Sequence, residues 1–329
     1  MKFLIVGLGS MGKRRIRCLK TLNFKNIYGF DLNKKRSLEV KTKYKIKTFI
    51  NFKEAYKIIQ PDVLIISTPP DKHYSYARFS AKNNKDCFIE ASVETSAETF
   101  KLENYKKKMR TMILPSCTMQ YFKSPKIIKK LIKDKEIGKV WNINYQIGQY
   151  LPDWHPWENI KNFYVSKKKT GACREIVPFE LNWICDIFGI PKVINSHKNK
   201  LSDLEMDADD VYHFTLKFPK KIIANITVEV LSRVAPTRIM TILGSKGKIY
   251  LNYEDKIIKL YKSDRATKIF KINEGKPEKG YVYSEKPYVD EMRHFINAVT
   301  KGKKNLFPND LKKDAHILKI LEEIEKKTN

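Results

Sequence analysis

The feature that most limits what this chain can become is Gly7-Leu8-Gly9-Ser10-Met11-Gly12, placed directly after the apolar run Phe3 to Val6. Three glycines at that spacing, leaving a strand and opening a helix, make a turn whose backbone can approach a bulky anion. Gly7 suits the tight turn. Gly9 leaves space where a Cβ would strike a pyrophosphate, and Gly12 lets helix and strand pack closely. The helix start, with Ser10 and Met11 in its first turn, offers N–H groups and partial positive charge to phosphate oxygens. Asp31 ends the next predicted strand, where its carboxylate can accept from adenosine ribose hydroxyls and repel a 2′-phosphate. The pattern predicts a nicotinamide dinucleotide site that prefers NAD. Lys34, Lys35 and Arg36 follow closely enough to serve a phosphate, so NADP stays open.

Around that turn, strand and helix signals alternate through residues 1–121, the grammar of a doubly wound parallel sheet, a Rossmann domain. Thr68-Pro69-Pro70 ends the fourth strand. Ligands of open parallel sheets lie beyond the carboxyl ends of the strands, so Thr68 and Pro69 are expected to border the nicotinamide half. His73 follows at a helix start, suited equally to capping and loop packing or to chemistry. Residues 122–329 read differently. A long strand near Val140 to Tyr150 is followed by an irregular stretch, Leu151 to Thr170, an apolar helix near Ile176 to Phe188, and a run of strands joined by short turns. That second domain is expected to be α+β with a large, mostly antiparallel open sheet, closed by helices from Pro287 and Pro308.

Composition narrows the function classes. At 329 residues, two domains are the natural expectation. The formal charge is +29, but only 11 of the 65 basic residues are arginines. Lysines such as Lys126, Lys129, Lys130 and Lys133 are spread over the helices, which reads as a solvated surface that attracts anionic substrates, not as a nucleic-acid face. No apolar run approaches the roughly 20 residues of a membrane span, and the N-terminal strand is too short for a signal-peptide core, so a cytoplasmic protein without a membrane partner is expected. Cys18, Cys87, Cys117, Cys173 and Cys185 form no C-x-x-C pair and read as small buried residues. The six histidines show no metal-ligand spacing, so no metal is expected. Asp207, Asp209 and Asp210 read as a turn of solvated charges.

Taken together, Val6-Gly-Leu-Gly-Ser-Met-Gly12, Ser67-Thr-Pro-Pro-Asp-Lys-His73, Ile137-Gly-Lys-Val140, Leu243-Gly-Ser-Lys-Gly247 and Tyr288-Val-Asp-Glu-Met-Arg-His-Phe295 resemble the Gfo/Idh/MocA oxidoreductases. That family acts mainly on sugars, inositols and their nucleotide or acid derivatives. The resemblance spans nearly the whole chain and implies a homo-oligomer, dimer or tetramer, built on the open sheet. The family usually carries Glu-Lys-Pro after the fifth strand, and its lysine assists proton transfer. Here the stretch is Phe88-Ile89-Glu90-Ala91-Ser92: Glu90 matches, and is carried over as a cofactor-side residue, while Ala91 replaces the lysine. The family also commonly has an acid and a histidine four residues apart after a glycine pair. In Gly171-Ala-Cys-Arg-Glu175-Ile-Val-Pro-Phe179-Glu180, Glu175 stands for the acid and Phe179 falls on the histidine. Neither alanine nor phenylalanine relays a proton.

A replacement acid/base must titrate near neutrality. Tyr150-Leu-Pro-Asp-Trp154-His155-Pro-Trp157-Glu158 sets a histidine among aromatics that can stack on a sugar or base. His155 is the first candidate, against a structural role as a hydrogen-bonder under a surface loop. Glu175 and Glu180 come next; five apart on a helix, they do not share one face closely. Trp154 and Trp157 are candidate substrate platforms. Arg174 suits a substrate carboxylate or phosphate, or else a surface salt bridge. The leading expectation is an NAD(P)-dependent oxidoreductase moving hydride to or from a CH–OH carbon of a sugar derivative, by resemblance a nucleotide sugar or acidic sugar of surface-glycan biosynthesis. Retained NAD used for transient oxidation in epimerisation or elimination is a second reading. A non-catalytic NAD-dependent sensor, suggested by the missing lysine and histidine, is a third.

Overall fold

The computed structural model describes residues 1–91, 95–106, 111–154, 156 and 159–327. The first sheet contains β1 (Phe3–Val6), β2 (Ile27–Phe30), β3 (Lys47–Phe49), β4 (Val63–Ile66), β5 (Asp86–Ile89) and β6 (Ile113–Pro115), in the order β3-β2-β1-β4-β5-β6. Every pair in it is parallel. β1 and β4 are apolar throughout (FLIV and VLII) and wholly buried, as strands must be when helices cover both faces. The covering helices are α1 (Ser10–Thr21), α2 (Lys34–Tyr44), α3 (Phe52–Ile59), α4 (His73–Lys82) and α5 (Ser96–Lys106). One core cluster joins Val6, Phe30, Phe49, Ile59 and Leu64; another joins Ile66, Ala77, Cys87, Leu102 and Ile113.

After α6 (Lys123–Lys133) comes the second sheet: β7 (Val140–Gly148), then α7 (Cys173–Phe188), then β8 (Lys192–Asn199), β9 (Val211–Lys217), β10 (Ile223–Glu229), β11 (Thr237–Gly244), β12 (Gly247–Asn252), β13 (Ile257–Lys262) and β14 (Arg265–Lys271). Its order is β14-β13-β12-β11-β7-β10-β9-β8. All pairs are antiparallel except β7 with β10, which the long crossover through α7 makes possible. One face is buried. In β7, Ile143, Tyr145 and Ile147 point inward, while Trp141, Asn144 and Gln146 are exposed. The last strand starts at Arg265. This exposed edge strand carries Arg265, Lys268 and Lys271, charges that discourage pairing with another chain.

Helices α8 (Lys286–Lys301) and α9 (Leu311–Lys326) close the chain. The last helix begins at Leu311 and not at the expected Pro308, because Asp310 Oδ1 accepts from Lys313 N at 2.9 Å and caps the first turn. The chain divides into two compact units near Thr118/Met119, against an expected boundary at 121/122. The first unit also takes in Glu285–Ala315, so α8 belongs with the dinucleotide-type sheet.

What attaches α8 is charge. Arg15 of α1 is fully buried; its Nε and Nη2 donate to Glu90 at 2.5 and 2.9 Å, and Nη2 lies 2.9 Å from Glu291 Oε2. Glu291, equally buried, also accepts from Ser116 Oγ (2.9 Å), Cys117 N (2.6 Å) and Thr118 Oγ1 (2.6 Å). Nearby, Arg14 and Arg17 both donate to Glu285, and Arg14 stacks 4.0 Å above the Tyr288 ring. Removing one partner of a buried, hydrogen-bonded charge leaves the other uncompensated. Glu291→Ala is therefore expected to destabilise the first unit by about 3–5 kcal/mol, read from denaturant melts. A loss below about 1 kcal/mol would show that the cluster does not hold α8.

Candidate functional site

In the first unit the glycine turn is built by contact, not by composition. Gly7 has φ +94°, and a Cβ there would sit 2.6 Å from the Ser67 carbonyl oxygen. A Cβ on Gly12 would fall 1.9 Å from the Gly7 carbonyl oxygen. Both positions are thus forced by protein packing. Gly9 is different: a Cβ there meets no protein atom within 4 Å. Nothing in the chain requires glycine at that point, so the open space beside it is the approach a pyrophosphate needs. Gly9 is also the N-cap of α1 and supplies no side-chain cap to the first turn, which Ser10 and Met11 begin.

Asp31 stands at the end of β2 with its carboxylate turned to the turn. Oδ2 accepts from Leu8 N at 2.8 Å and Oδ1 from Asn33 N at 2.8 Å, while Arg36 Nη1 lies 3.2 Å from Oδ2. The same acid that can meet a ribose therefore also ties β2 to the glycine loop. Thr68 and Pro69 follow β4, and Thr68 Oγ1 is buried without a partner, as expected of a hydroxyl that waits for a ligand. A dinucleotide fits these residues.

His73 opens α4 and is buried. Its Nε2 lies 2.8 Å from the Thr68 carbonyl oxygen, and Nδ1 has no partner. Burial lowers its pKa, so it stays neutral and braces the Thr68-Pro69 loop from behind. It shares a small cavity with Thr99, Leu102, Leu311 and Asp314. Burial pushes the Asp314 carboxyl up to about 7, against a hydrogen bond from Asn309 that lowers it. An acid whose folded pKa is raised stabilises the fold fully below its unfolded value and loses that contribution as pH rises through the folded one. Asp314→Asn is thus expected to melt at a higher temperature than the parent at about pH 8, with the gap closing toward about pH 4. A gap that is equal at both ends would mean that Asp314 ionises freely.

Glu90, carried over as a cofactor-side residue, has both carboxylate oxygens engaged by Arg15, and Ser67 Oγ approaches Oε1 at 3.4 Å. Its geometry is that of a brace beneath the site. Ala91, the next residue, is half-buried.

In the second unit the described residues of the irregular stretch include short 3-10 turns. Trp154 ends the turn Leu151–Trp154, half-buried, with its indole Nε1 enclosed and unpartnered. His155 and Trp157 lie outside the described residues. Arg174 is nearly buried on α7, with Nε 2.9 Å from Glu325, so the ion-pair alternative is the one its geometry displays. Glu180 is enclosed: Arg238 Nη2 donates at 2.5 Å, Tyr145 Oη at 2.6 Å and Trp183 Nε1 at 2.8 Å. It is a buried counter-ion that fixes α7 to the sheet.

Glu175 is arranged otherwise. Tyr164 Oη donates to its Oε1 at 2.9 Å, and its Oε2 is buried with no partner. Burial pushes this carboxyl up to about 7, against the Tyr164 hydrogen bond, which lowers it. Phe179, one turn along α7, supplies an apolar neighbour on the same helix face. The helix starts from a strained corner. A Cβ on Gly171 would fall 1.8 Å from the Val165 carbonyl oxygen, and Ala172 is held at φ +51°, ψ −133°. That conformation suits glycine and costs an alanine about 1–3 kcal/mol. Ala172→Gly should raise the denaturation midpoint of the second unit by the equivalent of about 1 kcal/mol, after the entropy penalty of the added glycine. A lower midpoint would show that the corner is relaxed.

The three acidic residues 207, 209 and 210 are not simply solvated. Asp209 pairs with Lys198 at 2.8 Å, Asp207 accepts from Lys168 N at 2.8 Å, and the buried Asp210 accepts from Leu201 N, Ser202 N and Ser202 Oγ. They tie loops together. The cysteines are all buried free thiols. Tyr164, Arg238, Arg15 and Asp314 were not singled out from sequence. Glu291 lay inside a motif that was, but no local signal marked its role.

A glycine turn open to a pyrophosphate, an acid at the end of β2 and an orphaned hydroxyl after β4 define a dinucleotide-binding oxidoreductase of the doubly wound class, extended by an open-sheet unit. Comparison with known proteins agrees. The model of the oxidoreductase family, NAD-binding Rossmann fold, matches residues 1–114, and that of the GFO/IDH/MocA C-terminal domain matches residues 126–250. The chain belongs to the Gfo/Idh/MocA oxidoreductase family and is an NAD(P)-dependent oxidoreductase. No curated protein sequence matches it significantly.

Among solved structures, an oxidoreductase from Agrobacterium radiobacter in complex with NAD+, L-tartaric acid and magnesium superposes with a TM-score of 0.86 at 10% identity, over 99% of this chain and 96% of that one. Levoglucosan dehydrogenase in complex with NADH and levoglucosan gives 0.81 at 14%, over 99% and 96%. The WlbA dehydrogenase from Bordetella pertussis, in complex with NADH and UDP-GlcNAcA, gives 0.79 at 13%, over 99% and 96%. At these identities the likeness is one of fold. Among the described residues, no helix is long and apolar enough to cross a membrane.

Proposed function

We propose that this chain is an NAD-dependent dehydrogenase or reductase of a sugar derivative, in which Glu175 exchanges the hydroxyl proton. One observation carries the assignment: Glu175 Oε2 is buried and unpartnered while Oε1 is held by Tyr164. An enclosed carboxyl with a free oxygen and a pKa raised to about 7 is matched to proton exchange at neutral pH. Glu180 does not serve, since Arg238, Tyr145 and Trp183 already occupy it. Sugar-type ligands in the structures of similar fold support the substrate class.

Gly7, Gly9 and Gly12 hold the pyrophosphate against α1, Asp31 receives the adenosine ribose, and Thr68 and Pro69 border the nicotinamide. When bound, the nicotinamide supplies the acceptor or donor of hydride. In the oxidative direction the Glu175 carboxylate takes the substrate hydroxyl proton on Oε2 as the C–H bond yields its electron pair with the hydrogen. In the reductive direction the protonated acid returns that proton to the forming alkoxide. Tyr164 fixes the carboxyl plane, and Trp154 offers an indole N–H to the sugar.

Oxidation of a panel of sugar acids and nucleotide sugars should give kcat/KM rising through about pH 7, where Glu175 ionises; reduction should fall through the same range. Glu175→Gln should remove that limb and lower kcat by about 10²–10⁴, with NADH affinity unchanged. Full turnover in that variant, with loss only in His155→Ala, would transfer the role to His155. Ala91 and Phe179 favour a second reading, an NAD-binding sensor, which NADH binding without turnover of any panel member would support.

A further inference from the structure

We propose that Arg233 selects a substrate bearing an anionic group, a carboxylate or a phosphate; the placement of that substrate beside Glu175 rests on the dehydrogenase reading above. Arg233 sits in the loop between β10 and β11, beyond the carboxyl ends of β7 and β10 and not on the uncovered face of the sheet. Backbone pairing fastens that loop to the segment that follows β7. Gln149 N donates to the Glu229 carbonyl oxygen at 3.3 Å, Leu151 N to that of Val230 at 3.1 Å and Tyr150 N to that of Ser232 at 2.7 Å. Trp154, with its enclosed and unpartnered indole N–H, ends the turn that Leu151 begins. Cys173 Sγ, at the start of α7, lies 3.3 Å from the Val228 carbonyl oxygen, so the helix turn that carries Glu175 begins against the same strand end.

The loop is pinned at its base. The Glu229 carboxylate folds over Gly148, where any Cβ would collide with it. From there it accepts from Leu231 N at 2.5 Å, from Ser232 N at 2.9 Å and from the Ser232 hydroxyl. Ser232 Oγ also lies 3.0 Å from Thr237 Oγ1, which closes the loop on its far side. Past Arg233, Val234 is fully exposed and held at φ +71°. A β-branched residue enters the left-handed region only where its surroundings over-determine it, and such strain collects at ligand-binding segments.

The exposed Arg233 guanidinium lies 4.1 Å from the centre of the Tyr150 ring. Stacking occupies its flat face and leaves its N–H edge open in the plane. That edge has no acceptor among the described residues. The acid closest in sequence, Glu229, is already committed to the N–H groups of the loop. The other arginines of this unit each face a carboxylate: Arg174 meets Glu325, Arg238 meets Glu180 and Arg265 meets Glu136. A guanidinium fork held against a ring, with its donors unspent, suits two-point reception of a carboxylate or phosphate. A neutral sugar offers it no equivalent partner.

Matched sets of neutral aldoses, their uronic acids and their phosphates are assayed for oxidation with NAD, and the same compounds are titrated calorimetrically into the full-length protein with NADH bound. The uronic acid or the phosphate should be preferred to its neutral parent, and which of the two is preferred identifies the anion. Arg233→Ala should lower the ratio of kcat/KM for that anion over the neutral parent about 10–100-fold, mainly through KM. Parental NADH affinity in the variant is the sign of an intact fold. Arg233→Lys, which keeps the charge but not the fork, should recover part of the ratio. A ratio that does not move in Arg233→Ala, or neutral sugars used as well as their anions, overturns the inference and leaves the dehydrogenase reading in place. Arg233-dependent binding of an anion that is never oxidised upholds the anion site and removes that reading. Absence of both turnover and Arg233-dependent binding overturns the two together.

Discussion

Arg15 carries a full charge in a place where no water reaches it, and the first unit is organised around compensating that charge. A guanidinium placed in apolar surroundings costs several kcal/mol unless its hydrogens are received. Glu90 reaches it from the end of β5, and Glu291 from α8. Phe88 offers the face of its ring at 4.5 Å. Glu291 in turn collects the polar groups that follow β6. One buried cation thus sets α1 against the sheet, and α1 is the helix whose first turn must meet the cofactor. The glycine contacts specify the path of the turn; the charge cluster specifies the position of the helix behind it.

The second unit uses carboxylates of one helix in opposite ways. Glu180 is surrounded by donors and works as a fixed negative charge. Glu175 receives a single donor in an enclosed position, so its proton is held more tightly than that of a solvated acid. Phe179 stands one turn along α7 from Glu175, so an apolar residue follows the acid on that side of the helix. Burial is what raises the Glu175 carboxyl to about 7, a titration range resembling that of a solvated imidazole.

The readability of the chain tracked the sequence distance over which each feature is decided. Gly7, Gly9 and Gly12 could be read because the turn, the helix start and the close strand contact are settled within a few residues. The strands of both sheets followed from short apolar runs and alternation between turns. The parallel pairing of β7 with β10 did not, because strand neighbours are chosen by a crossover and not by local pattern. The Arg14–Glu285 pair joins residues 271 apart and has no local signature. Glu175 and Glu180 looked alike as letters; Tyr164 and Arg238, each distant in sequence, are what distinguish them. Arg174, marked for an anion, met Glu325 from the last helix.

The discontinuity of the first unit has a consequence at the ribosome. Its sheet is complete in the nascent chain by residue 118, yet the segment that begins at Glu285 emerges only after the intervening unit has been translated. At roughly 5–20 residues per second that interval is on the order of ten seconds to half a minute. Throughout it, Arg15 has Glu90 but not Glu291, and the polar groups at Ser116 to Thr118 await their acceptor. The cofactor-binding half of the protein is therefore made first and finished last.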